Sequence, residues 1–153
     1  CPMGSVNGMA PDMRDKTMKK RAAYLAITTA AFGLLFVVSG LWLRDLYLFG
    51  WMAHNWKVSL FLWIIVLILI LMKQIIPAVL ITIGHIVGTV LGQWIGDELL
   101  KRSQALMTPD MTPGQIHHLD THYGFAIWVI ILAAFLIAGI IAEAVHRKKA
   151  QKA

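Results

Sequence analysis

The chain has 153 residues, of which 58% are apolar and 14% charged, with a net charge of +6 at neutral pH and one cysteine. Its apolar residues fall in long blocks, which excludes a soluble globular domain, and the length outside those blocks leaves no room for a separate catalytic domain. One cysteine excludes an internal disulfide.

Residues 1–13 are rich in Gly, Pro, Met and small side chains without periodicity, and read as a loose tail. Cys1 at its head fits either the acylated end of a processed lipoprotein or a cloning remnant. Arg14, Lys16, Lys19, Lys20 and Arg21 follow and abut an uncharged block from Ala22 to Leu43. By the positive-inside rule this cluster holds the cytoplasmic side. Membrane orientation thus accounts for the basic charge, and no nucleic-acid motif accompanies it.

The connector from Arg44 to Lys57 carries Tyr47, Trp51 and Trp56 among few charges, a composition suited to the headgroup zone. Next, the block from Val58 to Gly96 is about twice the roughly 20 residues that one helix needs to cross a bilayer. It is interrupted at Lys73, Gln74 and Pro77. The connector at 97–121 is net acidic, with Asp97, Glu98, Asp110 and Asp120 against Lys101 and Arg102, while the chain closes on Arg147, Lys148, Lys149 and Lys152. Two basic termini around an acidic connector require an even number of crossings. The middle block therefore divides into Trp56–Lys73 and Pro77–Gly96, with Lys73 and Gln74 at the cytoplasmic interface and Pro77 at the first helical position. The competing picture is one long helix kinked at Pro77, giving three crossings.

Before the last span, Thr112-Pro113-Gly114-Gln115 has the form of a capping box and predicts a short helix from Pro113 to about Thr121 near the membrane surface. The expected fold is an all-α integral membrane helical bundle over 22–146. Its spans lie at about 22–43, 56–73, 77–96 and 123–145, with a short interfacial helix, between basic cytoplasmic tails at 1–21 and 147–153.

Gly84, Gly88, Gly92 and Gly96 recur every fourth residue in the third span. They present one bare helix face on which another backbone can approach closely, by packing within the bundle, by self-association, or along a pore. Ala22, Ala26 and Ala30, and Ala134, Ala138 and Ala142, are candidate partners for that face.

Histidine supplies the other signals. His54 and His122 open two apolar helices at one membrane face, the placement that a b-type haem requires of its axial ligands. The segments His54-Asn55-Trp56 and His122-Tyr123-Gly124 are faintly similar to the ligand helices of small membrane cytochromes b. Those helices usually carry a second His or Arg deeper in, which the second span lacks. His118 and His122 have the i, i+4 spacing of two metal ligands if the short helix runs that far, with Asp110 as a further oxygen. His85 lies near the middle of the third span, where Thr82, Thr89 and Gln93 extend it into a polar seam.

No phosphate loop, nucleophile elbow or zinc-protease helix is present, so enzymatic activity is not expected. The leading expectation is a non-enzymatic structural or regulatory subunit. It would assemble in the lipid bilayer, with itself or with other membrane proteins, through the glycine face. A haem-binding electron-transfer subunit and a small channel or transporter are the alternatives.

Overall fold

A computed structural model describes residues 11–151 of the chain, and the side chains from Met18 onward. Cys1 and Lys152 lie outside the described residues. Six helices and no strand occur among the described residues: α1 (Pro11–Leu41), α2 (Tyr47–His54), α3 (Trp56–Leu71), α4 (Ile75–Gln104), α5 (Pro113–Leu119) and α6 (Gly124–Ala150). Hydrocarbon offers no partner to a backbone N–H or C=O, so apolar stretches of this length must bond internally as helix. Three helices have the length and apolarity of a crossing: α1 from Met18, α4 and α6. The pair α2 and α3 qualifies jointly as a fourth, bent by 77° between its halves. The chain is a multi-pass helical membrane protein.

Several boundaries differ from expectation. Helix α1 spans Pro11–Leu41, so the whole basic cluster from Arg14 to Arg21, expected as a tail ahead of the first span, is already helical. Helix α2 was not expected at all. It ends at Asn55, whose φ of −99° and ψ of 43° break the helix while its amide and side-chain Nδ2 both donate to the Trp51 carbonyl, at 2.8 and 2.9 Å.

Between α3 and α4 the chain reverses within three residues. Lys73 takes a φ of 66°, its N–H bonds to the Ile70 carbonyl at 3.1 Å, and the Gln74 N–H bonds to the Leu69 carbonyl at 2.8 Å. Those two bonds form a Schellman motif, which satisfies the last carbonyls of α3. The single long helix kinked at Pro77 is therefore overturned: the break lies at Lys73, and the middle block is a helical hairpin. Pro77 is the third residue of α4 rather than the first. It still falls in the turn whose N–H groups have no intrahelical acceptor, so its missing donor is without consequence.

Helix α4 also runs two turns past Gly96, converting the start of the expected polar connector into helix. Glu98 and Arg102 pair there at 2.9 Å across one turn. The capping box forms as expected, with Thr112 N donating to Gln115 Oε1 at 2.9 Å and Gln115 N to Thr112 Oγ1 at 3.4 Å. Helix α5 nonetheless stops at Leu119, short of Thr121. Gln104 Nε2 donates to Asp120 Oδ1 at 2.8 Å and ties the end of this segment to α4.

Helix α4 is the centre of the bundle, with 50% of its apolar stretch buried against 11% for α6. One core cluster joins Phe32, Val66, Ile70, Ala78 and Ile81 across α1, α3 and α4. A second joins Leu48, Met52 and Trp128 across α2 and α6. The three-residue turn, with Val66 and Ile70 sharing one cluster with Ala78 and Ile81, folds α3 back along α4. Gln74, Glu143 and Arg147 line one depression. The α3–α4 turn thus shares an end of the bundle with the basic C-terminal segment, while α2 and Asp97 lie at the other. Outward side chains such as Leu34, Ile130 and Ile137 are 58–67% exposed, as hydrocarbon surroundings permit.

A left-handed Lys73 carries a steric penalty of about 1 kcal/mol that glycine would not. Lys73→Gly is expected to raise the thermal midpoint of the detergent-solubilised protein and Lys73→Val to lower it. The reverse order would contradict the Schellman turn.

Candidate functional site

Along α4 every glycine of the repeat is followed by a polar residue: Gly84-His85, Gly88-Thr89, Gly92-Gln93 and Gly96-Asp97. Adjacent residues on a helix differ by about 100° in direction. The result is two adjacent stripes, one bare and one polar, which share Trp128, Leu48 and His122 as neighbours. All four glycines are buried.

The bare stripe meets α6 of the same chain. A Cβ on Gly84 would lie 2.7 Å from Phe135 Cβ, and one on Gly88 3.0 Å from Trp128 Cδ1. On Gly92 it would lie 2.7 Å from the Gly124 carbonyl oxygen, and on Gly96 it would strike His122 and the Gly124 backbone. At the far end the relation inverts, and Gly139 of α6 receives Pro77, 2.8 Å from where a Cβ would stand. The alanines expected to partner the glycines do not. Ala22, Ala26, Ala30, Ala134 and Ala138 are exposed, and Ala142 is half-buried. Large side chains fill the groove instead, because Phe135, Trp128 and Ile131 offer more dispersion contact to a bare backbone than a methyl group does.

The polar stripe faces α1, α2 and the start of α6. His85 is 1% exposed and lies between two rings, stacked on Phe32 at 4.9 Å and edge-on to Trp128 at 5.8 Å. Its Nδ1 accepts from Trp128 Nε1 at 3.3 Å. Thr82 and Thr89 donate back to carbonyls of their own helix, Ala78 at 2.9 Å and His85 at 2.7 Å, and Met52 Sδ lies 3.3 Å from the Thr89 hydroxyl. His85, Thr82 and Thr89, with Gln93, make up the expected seam, and all four are buried.

Gln93 begins a network that joins three helices. Its Oε1 accepts from the Leu48 backbone N–H at 2.6 Å, although Leu48 is 45 residues away. That N–H is an orphan donor of the first turn of α2, whose N-cap residue Leu46 supplies no side-chain bond. Gln93 therefore caps α2 from another helix. Its Nε2 donates to Asp97 Oδ1 at 2.8 Å. The same oxygen accepts from His122 Nε2 at 3.0 Å, and His122 Nδ1 accepts from the Gly124 N–H at 3.0 Å. This pattern makes Nε2 the donor and Nδ1 the acceptor of the ring. Tyr47 stacks on the same imidazole at 4.0 Å. The His122 side chain is 6% exposed and that of Asp97 38%, so the carboxylate is where the network meets the surface.

No known family model, curated protein or solved structure matches this chain.

The structure separates the other candidates. His54 is exposed at the last position of α2, and among the described residues no hydrogen bond or ring contact joins it to His122. Both ring nitrogens of His122 are engaged, so binding iron there would break its bond to Asp97 or to Gly124. His118 is exposed on α5, which ends before reaching His122, so the helical i, i+4 register expected of a metal pair is not formed. Among the described residues no group of three or more His, Cys, Asp or Glu side chains is placed to hold a metal ion. Asp97 and Tyr47 were missed as site residues, although the Gly-polar pairing along α4 was a signal for the former.

Two substitutions test these assignments. Gly92→Leu drives a side chain against the Gly124 carbonyl and is expected to cost about 1–3 kcal/mol or more, whereas Gly33→Ala, with nothing within 4 Å of its Cβ, is expected to leave thermal stability unchanged or raised. Gln93→Leu leaves the buried Leu48 N–H without an acceptor, at about 1–3 kcal/mol. Hydrogen exchange checks this, with faster exchange expected in α2 and unchanged protection in the middle of α4.

Proposed function

We propose that the chain is a non-enzymatic integral membrane subunit, structural or regulatory, that assembles in the bilayer with itself or with larger membrane proteins. The observation that carries this reading is the orientation of α6. Large side chains of α6 fill the glycine stripe of α4, and this fixes the rotation of α6 so that Ala134 and Ala138 point outward. Small residues four apart on an outward face let a further helix approach closely where lipid supplies no hydrophobic drive. On this reading the glycine stripe prepares the assembling surface by closing the bundle internally.

The polar stripe favours the same reading over a conducting one. His85, Thr82, Thr89 and Gln93 hydrogen-bond to neighbouring helices and backbone within the bundle. A stripe engaged in this way fixes helix positions, and that is the requirement of a subunit presenting a constant surface.

The test is the particle mass after mild extraction. A mass above that of the 17.1 kDa chain is expected both in detergent and in nanodiscs. The double variant Ala134→Leu, Ala138→Leu is expected to weaken association roughly tenfold, about 1.4 kcal/mol, with the thermal midpoint of the bundle unchanged. Monomer mass for the unaltered chain in both media would refute assembly. An unaffected complex in the double variant would refute this face.

A further inference from the structure

Away from the α4–α6 seam, two cavities share a wall. A cavity of about 570 Å³ at the α1–α2 corner is lined by Phe36, Gly40, Arg44, Asp45, Tyr47 and His54 among others. Below it an apolar groove of about 260 Å³ runs between α1 and α3, lined by Phe32, Gly33, Phe36, Trp56, Leu60 and Trp63 among others. Phe36 belongs to both. Along α1 the lining residues Thr29, Gly33, Phe36 and Gly40 follow helical spacing and form one face. No atom lies within 4 Å of a Cβ built on Gly33 or Gly40, so the floor of this furrow is bare and open, unlike the filled glycine stripe of α4. The groove is closed at its deep end by the Trp63 indole, which donates to Thr29 Oγ1 at 3.1 Å.

The polar cavity contains one cation and one anion. Arg44 and Asp45 are both exposed, and among the described residues neither side chain has a hydrogen-bond or ion-pair partner. From Thr29 to Gly40 the furrow is about 16 Å long at 1.5 Å per residue, close to the half-thickness of a hydrocarbon core of about 30 Å. Apolar for one leaflet and dipolar at its mouth, the site has the shape and charge order of a single phospholipid.

We propose that this furrow binds a zwitterionic aminophospholipid. One acyl chain lies along Gly33, Phe36 and Leu60, the phosphate faces the Arg44 guanidinium and the primary ammonium faces the Asp45 carboxylate. Guanidinium and phosphate pair through two parallel N–H···O bonds, and an ammonium donates to a carboxylate, so the pair of side chains complements both charges of the headgroup. A choline headgroup has no N–H to give Asp45, and a glycerol headgroup has no cation, so each satisfies only half of the site.

The experiment is native mass spectrometry of the full chain. The protein is exchanged into detergent containing equimolar phosphatidylethanolamine, phosphatidylcholine and phosphatidylglycerol of identical acyl composition. The ethanolamine lipid is expected to be retained over the other two by roughly five- to tenfold, the worth of one charge-assisted hydrogen bond. Arg44→Gln is expected to lower retention of all three. Asp45→Asn is expected to erase the preference for ethanolamine while raising binding of the anionic lipid. Gly33→Phe fills the furrow and is expected to reduce retention whatever the headgroup. If that variant fails to fold, the two charge variants, both at exposed positions, still decide the matter. Equal retention of the three lipids by the unaltered protein, or an ethanolamine preference that survives Asp45→Asn, would overturn the proposal.

Discussion

The bundle depends on how closely two backbones approach where α4 and α6 cross. In water, burial of apolar surface would hold these helices together, but hydrocarbon surrounds them on the outside and removes that difference. What remains is dispersion, which falls steeply with distance, and hydrogen bonding, which is strengthened where water is absent. Glycine at every fourth position of α4 lets Phe135, Trp128 and the Gly124 backbone come to within van der Waals reach of main-chain atoms. The reversed contact of Gly139 on Pro77 extends this approach to the other end of α6. Each helix thus supplies bare backbone where the other supplies bulk, and the fit fixes both rotation and axial register.

Once that register is set, the residue after each glycine is carried to a defined neighbour. His85 arrives between Phe32 and Trp128, Gln93 at the start of α2, and Asp97 beside His122. The most consequential of these is Gln93. A short helix such as α2 has few internal bonds and an uncapped first turn, and by itself would be marginal. Capping by an amide from α4, with Leu48 fully buried, makes the position of α2 a consequence of the glycine register on the adjacent face of the same helix.

Much of this architecture was legible in the sequence, and the parts that were not share a physical cause. The spans, the capping box at Thr112, the bare face of α4 and the seam through His85 and Gln93 follow from periodicity within one helix. Which residues of a second helix meet that face does not, because spacing defines a stripe but not its rotation relative to a neighbour. The alanine repeats illustrate this: their spacing matched the glycines, yet bulkier residues of α6 made the contact. The hairpin turn at Lys73 and Gln74 was legible from their polarity, but its backbone conformation was not, because a left-handed residue is usually marked by glycine and lysine carries no such mark. Asp97 was counted as part of a charged connector because an apolar block had just ended. Glu98 and Arg102 nevertheless sustain the helix, and the carboxylate remains in register with Gln93.

The glycines of α1 complete the comparison. Gly33 and Gly40 share the residue type of the α4 repeat but not its spacing or its surroundings, and no helix lies on them. Bare backbone in a membrane has only two outcomes. Where another helix can reach it, the missing side chain becomes close contact and holds the fold. Where no helix reaches it, as at Gly33 and Gly40 of α1, the missing side chain leaves a furrow that hydrocarbon must fill. The bent connection through α2 determines which outcome α1 meets, because it sets α3 beside α1 while placing Arg44 and Asp45 at the mouth of the gap. The internal packing of α4 and the open groove of α1 are therefore two results of one property, separated by how far the nearest helix stands.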